Sequence, residues 1–234
     1  MSNQFLLFSI ASIGLLGVAM SLHLVLHKRN SIPAKILGCY TFLLTLSSIE
    51  PLKEYLSTAS FFVEIIVAIG SFMIGPMLFL YCKYRLKDTV QWNKADIFHF
   101  VPACLLLILV LAGSGSVEED TTADIIFYLL FVCQIFAYSI TSFSIVWKKK
   151  MRDASGTSLR QFHLNFVFGL VISSVILFAY SFGSTLVGFN NSLNFKFFIQ
   201  AFLSLVIIVI VFLNAEALED HELSDTHKKR TVRK

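Results

Sequence analysis

The chain has 234 residues, 56% of them hydrophobic and 24 of them Phe, with a mean hydropathy of +0.74. No water-soluble domain can bury that much apolar surface, so the composition excludes a soluble enzyme or binding module and points to lipid as the solvent. The net charge of +4 does not mark a nucleic-acid binder, because the basic residues follow a positional rule along the chain.

Seven apolar runs are predicted as membrane-spanning helices. The first extends from about Phe5 to Leu26 and ends at His27, Lys28 and Arg29. The second, Pro33–Ile49, is short: at ~1.5 Å per residue its 17 residues reach about 25 Å against a ~30 Å hydrocarbon core. Lys35 can snorkel from its inner end. The third run, Thr58–Tyr81, contains Gly75 and Pro76, where the missing backbone donor predicts a kink. The fourth is Ile97–Ala112, with Asp96 expected as its N-cap. Residues 113–124 form an acidic outer loop. The fifth run, Asp124–Trp147, places Trp147 at the inner interface beside Lys148. The sixth is Phe162–Val187 and the seventh Phe195–Leu213.

Seventeen of the 19 Lys and Arg residues lie in alternate gaps between these runs or in the C-terminal tail; Lys53 and Lys196 are the exceptions. Cytoplasmic loops collect basic residues, so the alternation orients the spans. The expected fold is an all-α bundle of seven transmembrane helices in the inner membrane, N-terminus outside and C-terminus cytoplasmic. Residues 1–215 form the membrane domain and 216–234 a charged tail. The basic end of that tail is expected to meet anionic lipid of the inner leaflet rather than nucleic acid. The N-terminus lacks the basic n-region of a cleavable signal peptide. Cys39, Cys82, Cys104 and Cys133 sit in or beside apolar runs without metal or redox spacing, and read as small apolar fillers.

The residues able to carry chemistry are few. Glu64 is the carboxylate inside an apolar run, and such a group is a candidate ion or ligand site by default. Gln134, Tyr138, Thr141 and Ser142 of the fifth run face the problem of polar groups in lipid, as do Asn165, Ser173, Ser174 and Tyr180 of the sixth. They are expected to bond between helices, and Gln134, Tyr138 and Asn165 to line any ligand pocket. His23 and His27 are four residues apart at the inner end of the first run, and His99 and His163 open the fourth and sixth. The spacing suits a metal, but no HExxH pattern accompanies it, and no cofactor is expected. Lys196 lies too near a helix end for a buried chromophore.

Gly75, Pro76 and Tyr81 at the end of one span, a basic linker, then His99, Phe100 and Pro102 at the start of the next form a pattern. It resembles the N-terminal membrane region of AraC-type transcriptional regulators, mostly from the Bacteroidetes. The resemblance covers the membrane part, with its motifs in about thirty residues. It implies a membrane sensory domain ahead of a helix-turn-helix module. This chain stops at Lys234 without that module, either as a free-standing sensor or as a fragment whose DNA-binding module is missing or separate, so DNA binding is not carried over. The expected function is therefore non-enzymatic signalling across the membrane, with lipid and a cytoplasmic signalling partner as partners and self-association open. The competing expectations are a metal-dependent membrane enzyme using the inner-face histidines and a small proton- or ion-coupled transporter using Glu64.

Overall fold

The computed structural model describes residues 3–27, 31–49, 61–86, 93–113, 121–152, 158–186 and 205–209. Every regular element among them is helical, and none is a strand. They are α1 (Asn3–Leu26), α2 (Ile32–Ile49), α3 (Phe61–Arg85), a 3-10 helix (Lys94–Phe100) running straight into α4 (Val101–Gly113), α5 (Thr121–Arg152) and α6 (Ser158–Leu186). Residues 205–209 add a short helical stretch from the seventh apolar run. The remainder of that run, Lys196 and the tail lie outside the described residues.

The boundaries follow from the prolines and their neighbours. Ser31 starts α2: its hydroxyl accepts from the Ala34 amide at 3.4 Å and its carbonyl from the Lys35 amide at 3.1 Å. Pro33 occupies the first turn, where an amide proton would have no helical acceptor anyway. Pro102 sits at the start of α4 and cannot donate to the Phe98 carbonyl four residues back. The Val101 amide takes that carbonyl instead, and an i to i+3 bond of this kind is 3-10 geometry. The expected fourth span is thus broken at Val101, its start lying in a seven-residue 3-10 helix and the rest in a 13-residue α-helix. Asp96 is not the cap. Asn93 is, its side chain accepting from the Ala95 amide at 3.1 Å, and Asp96 is left free to point inward.

The helices pack in chain order except that α5 lies against α3. α1 packs on α2, α2 on α3, α3 on α4 and α5, and α5 on α6. α1 and α2 form an antiparallel hairpin closed by glycines. A Cβ on Gly38 would come within 2.9 Å of Leu24 Cβ and 3.1 Å of the Ser21 carbonyl oxygen, and one on Gly17 would overlap the Thr45 side chain. Small residues are the means by which helices approach where apolar burial alone supplies no drive. α3 is largely enclosed: Ile74, Leu78, Leu80, Tyr81, Cys82 and Tyr84 are buried, and the remaining face, with Phe79 and Lys83, is half-buried. Around it lie Leu37, Tyr40 and Leu44 of α2, Val146 of α5, and Val167, Leu170 and Val171 of α6. Tyr40 and Ser174 tie α2 to α6 at 2.7 Å; because the Ser174 hydroxyl donates to the Leu170 carbonyl, Tyr40 is the donor in that pair.

Small polar side chains are buried beside this apolar core, and large apolar ones also lie on the outside. Ser21, Thr41, Thr45, Ser139, Ser142 and Ser174 are buried, whereas Phe8, Leu15, Phe98, Ile108 and Ile140 are exposed by 60% or more. Among the described residues Leu129–Arg152 is the one stretch long and apolar enough to cross a membrane; Ala11–Leu26, Ile32–Ser47 and Leu164–Ile176 are shorter apolar helices. The four cysteines are free.

Two glycines make opposite predictions. Gly38→Ala gains about 1 kcal/mol of helix propensity but forces the α1 backbone away, and overpacking of this kind costs roughly 1–3 kcal/mol. A Cβ on Gly169 of α6 would meet nothing within 4 Å, so Gly169→Ala keeps the propensity gain alone. Thermal unfolding of the purified variants should therefore show a lowered midpoint for the first and an unchanged or raised one for the second.

Candidate functional site

The polar side chains of the bundle converge where α3 ends and the 3-10 helix begins. Pro76, like Pro102, removes a donor from a helix interior, here from the carbonyl of Phe72. That carbonyl is not left alone. Gln134 of α5 donates its Nε2 proton to it at 2.9 Å. One α5 turn further on, Tyr138 lies against Gly75, where a Cβ would stand only 3.1 Å from the Tyr138 ring. Phe72 meets the Phe131 ring at 5.3 Å, and Phe79 meets Tyr138 at 5.8 Å. Contacts that advance together along both helices mean that α3 and α5 run parallel, as two inward-directed spans would.

Tyr138 then reaches out of the α3–α5 seam. Its hydroxyl is 3.0 Å from His99 Nδ1, and the other imidazole nitrogen lies 3.9 Å from Asp96 Oδ1. The Phe79 ring meets the imidazole edge-on at 4.9 Å. Asp96 is the anchor of the group. It is 1% exposed, with Lys83 Nζ on one carboxylate oxygen and the Tyr84 hydroxyl donating to the other. The Tyr84 oxygen in turn accepts the Asn93 amide at 2.9 Å. Both stretches of chain leading to and from the α3–α4 linker are therefore stitched to one carboxylate.

The electrostatics favour the charged form of that carboxylate. Burial would push the Asp96 carboxyl up, but the Lys83 and Tyr84 hydrogen bonds, the Lys83 charge and His99 together outweigh it and hold it below the usual carboxylate range. Lys83 keeps 22% of its side chain exposed, and its ammonium lies 5.9 Å from the Phe79 and Tyr84 ring centres.

The sequence candidates fall into three groups. Gln134, Tyr138, His99, Gly75 and Pro76 are brought together, as bonding partners rather than as the lining of a pocket. Asn165 is exposed on α6 and does not join them. His23 and His27 face each other at 5.7 Å between ring centres on the outside of α1, away from His99 in its own bond to Tyr138. Glu64 and His163 lie on α3 and α6, but their side chains are outside the described residues. Among the described residues no three His, Cys, Asp or Glu side chains gather as metal ligands would. Lys83, Tyr84 and Asn93 do not stand out in the sequence; the signal available is the pairing of a basic span end with an acidic residue just before the next span.

The depressed Asp96 carboxyl sets a pH dependence. A folded-state value below the unfolded one, about 3.9, gives stability that is full above that pH and is lost as pH falls through the folded value. Asp96→Asn should thus be less stable than the parent at neutral pH by roughly 1–3 kcal/mol. The gap should close only below about pH 4, as read by denaturant midpoints of both proteins from pH 7 to pH 3.

Compared with protein-family models, with curated proteins and with solved structures, the chain has no match.

Proposed function

We propose that this chain is a seven-span sensory domain of the inner membrane that passes a signal from the membrane or the outer side to a cytoplasmic partner. Support for the lipid setting comes from the alternation of basic gaps and from the exposed large apolar and buried small polar side chains of the helices. The observation that carries the signalling reading is a pair of hydrogen bonds made one turn apart by α5, Gln134 to the Phe72 carbonyl and Tyr138 to His99, the latter beside Asp96 and its partners. One is made inside α3 and the other at the 3-10 helix.

A pair of this kind is suited to transmit tilt. The Pro76 region of α3 and the position of α5 share one hydrogen bond, so a signal that binds one arrangement better than another shifts both. The seven-residue 3-10 helix is long for its kind, and such stretches occur at hinges. In the regulators that the Gly75-Pro76 and His99–Pro102 pattern resembles, the output is a helix-turn-helix module. The output of this chain is proposed to be a cytoplasmic partner of that type, with no DNA contact made by the chain itself.

The test uses the proline and the glutamine together. Pro76→Ala returns an amide proton to the Phe72 carbonyl and makes the Gln134 bond dispensable. Gln134→Leu in the parent leaves that carbonyl without a donor and should cost about 1–3 kcal/mol, and clearly less in the Pro76→Ala background. With a reporter output domain fused after Lys234, Pro76→Ala should change the basal output; an output identical to the parent's would count against the sensory reading.

A further inference from the structure

The inner end of α5 carries a second feature that this pair of hydrogen bonds does not use. Phe136, Ile140, Phe143 and Trp147 are exposed at helical spacing, a row that covers about 16 Å at ~1.5 Å per residue, the depth of one leaflet of a ~30 Å core. At its inner end Trp147 stacks on Phe143 with ring centres 5.8 Å apart, and both lean on Phe168 of α6, at 6.1 and 5.6 Å. These three rings form an aromatic floor where α5 meets α6. Four cations close the row: Lys148 and Arg152 are exposed, Lys149 and Lys150 half-buried. No Asp or Glu occurs between Asp124 and Asp153 to offset them.

Lys150 is held in place rather than swinging free. Its ammonium lies 4.5 Å above the Phe168 ring centre, over the aromatic floor. An occupant that matches this surface needs an apolar chain of one leaflet's length ending in a phosphate-type anion. We propose that the α5–α6 seam binds one anionic phospholipid, its acyl chain along the Phe136–Trp147 row and its headgroup phosphate at Lys150, the cation that shares that face of α5 and lies over Phe168. The inference rests on the membrane reading above, and it adds to that reading a selective ligand: an acidic headgroup rather than bulk lipid.

Tryptophan fluorescence tests it in the full chain. The protein has two Trp residues, so Trp92→Phe leaves Trp147 as the sole reporter. The protein is reconstituted in phosphatidylcholine vesicles containing increasing fractions of phosphatidylglycerol or phosphatidylcholine with brominated acyl chains, which quench on contact. Brominated phosphatidylglycerol should reach half-maximal quenching at about tenfold lower mole fraction than brominated phosphatidylcholine, in line with attraction by a basic residue near the surface. Lys150→Gln should remove most of the preference while leaving quenching itself intact, and Lys148→Gln with Arg152→Gln, on the opposite face of α5, should leave most of it in place. Equal curves for the two lipids in the parent would overturn the proposal and leave the membrane reading standing. No quenching by either would overturn both. Loss of the phosphatidylglycerol preference on adding a short single-stranded DNA would assign the cations to a nucleic-acid backbone and overturn the lipid site. Inorganic phosphate should leave it unchanged.

Discussion

A single backbone carbonyl without its helical donor governs how the central helices sit. In water the Phe72 oxygen would bind solvent and Pro76 would cost little. In a lipid-like interior an unpaired carbonyl costs several kcal/mol, so a partner must come from a neighbouring helix. Gln134 is that partner, and its reach leaves α5 little choice of height or rotation against α3. With Gln134 placed, Tyr138 follows on the same face of α5 and meets α3 at Gly75, the one position there whose missing Cβ makes room for the ring. Proline creates the demand and glycine admits the supplier's neighbour. The two adjacent residues therefore act as one device.

The consequence for the rest of the bundle is that α3 becomes its axis. The C-terminal half of α3 is buried or half-buried throughout, packed with residues of α2, α5 and α6. Elements that touch α3 only in part, such as α4, inherit their position from its end. The Asp96 cluster makes that inheritance specific, because Lys83 and Tyr84 stand on the last turns of α3 while Asn93 and Asp96 open the next element. The 3-10 helix is then the compromise between a chain pinned at Asp96 and a proline that denies Phe98 its usual donor.

Much of the helical framework is legible from apolar runs alone. The short second run is α2 with nearly the expected bounds, Ile32–Ile49, because Ser31 and Pro33 are start signals with local physics. α5 continues to Arg152, past the expected end at Trp147, because lysines are good helix formers and favour a helix C-terminus. Interactions between distant residues are less legible. The presence of Gln134 is readable as a polar contact in lipid, but its acceptor is a main-chain atom 62 positions away, which no side-chain pattern encodes. Asp96 reads as a cap because it stands where caps stand. Its actual role depends on Lys83 and Tyr84 being carried beside it by the return of the chain. Ser174 bonds to Tyr40 of α2 rather than to α5, for the same reason: helical periodicity gives a face, and packing decides whose face it meets.

The two ends of the group formed by Gln134, Tyr138 and the Asp96 cluster differ in their surroundings. At the inner part of α3 the Gln134 bond has no ready substitute, since losing it strands a carbonyl in an apolar setting. At the linker the Lys83–Asp96 pair is only half enclosed: the carboxylate is buried, but the ammonium keeps contact with its surroundings, so ions and headgroups can compete for it. Between them stands the His99–Tyr138 bond, whose donor and acceptor can exchange roles with the histidine tautomer. A displacement of α3 therefore carries Asp96 and its partners with it, because that carboxylate is tied at once to the last turns of α3 and to the element that follows.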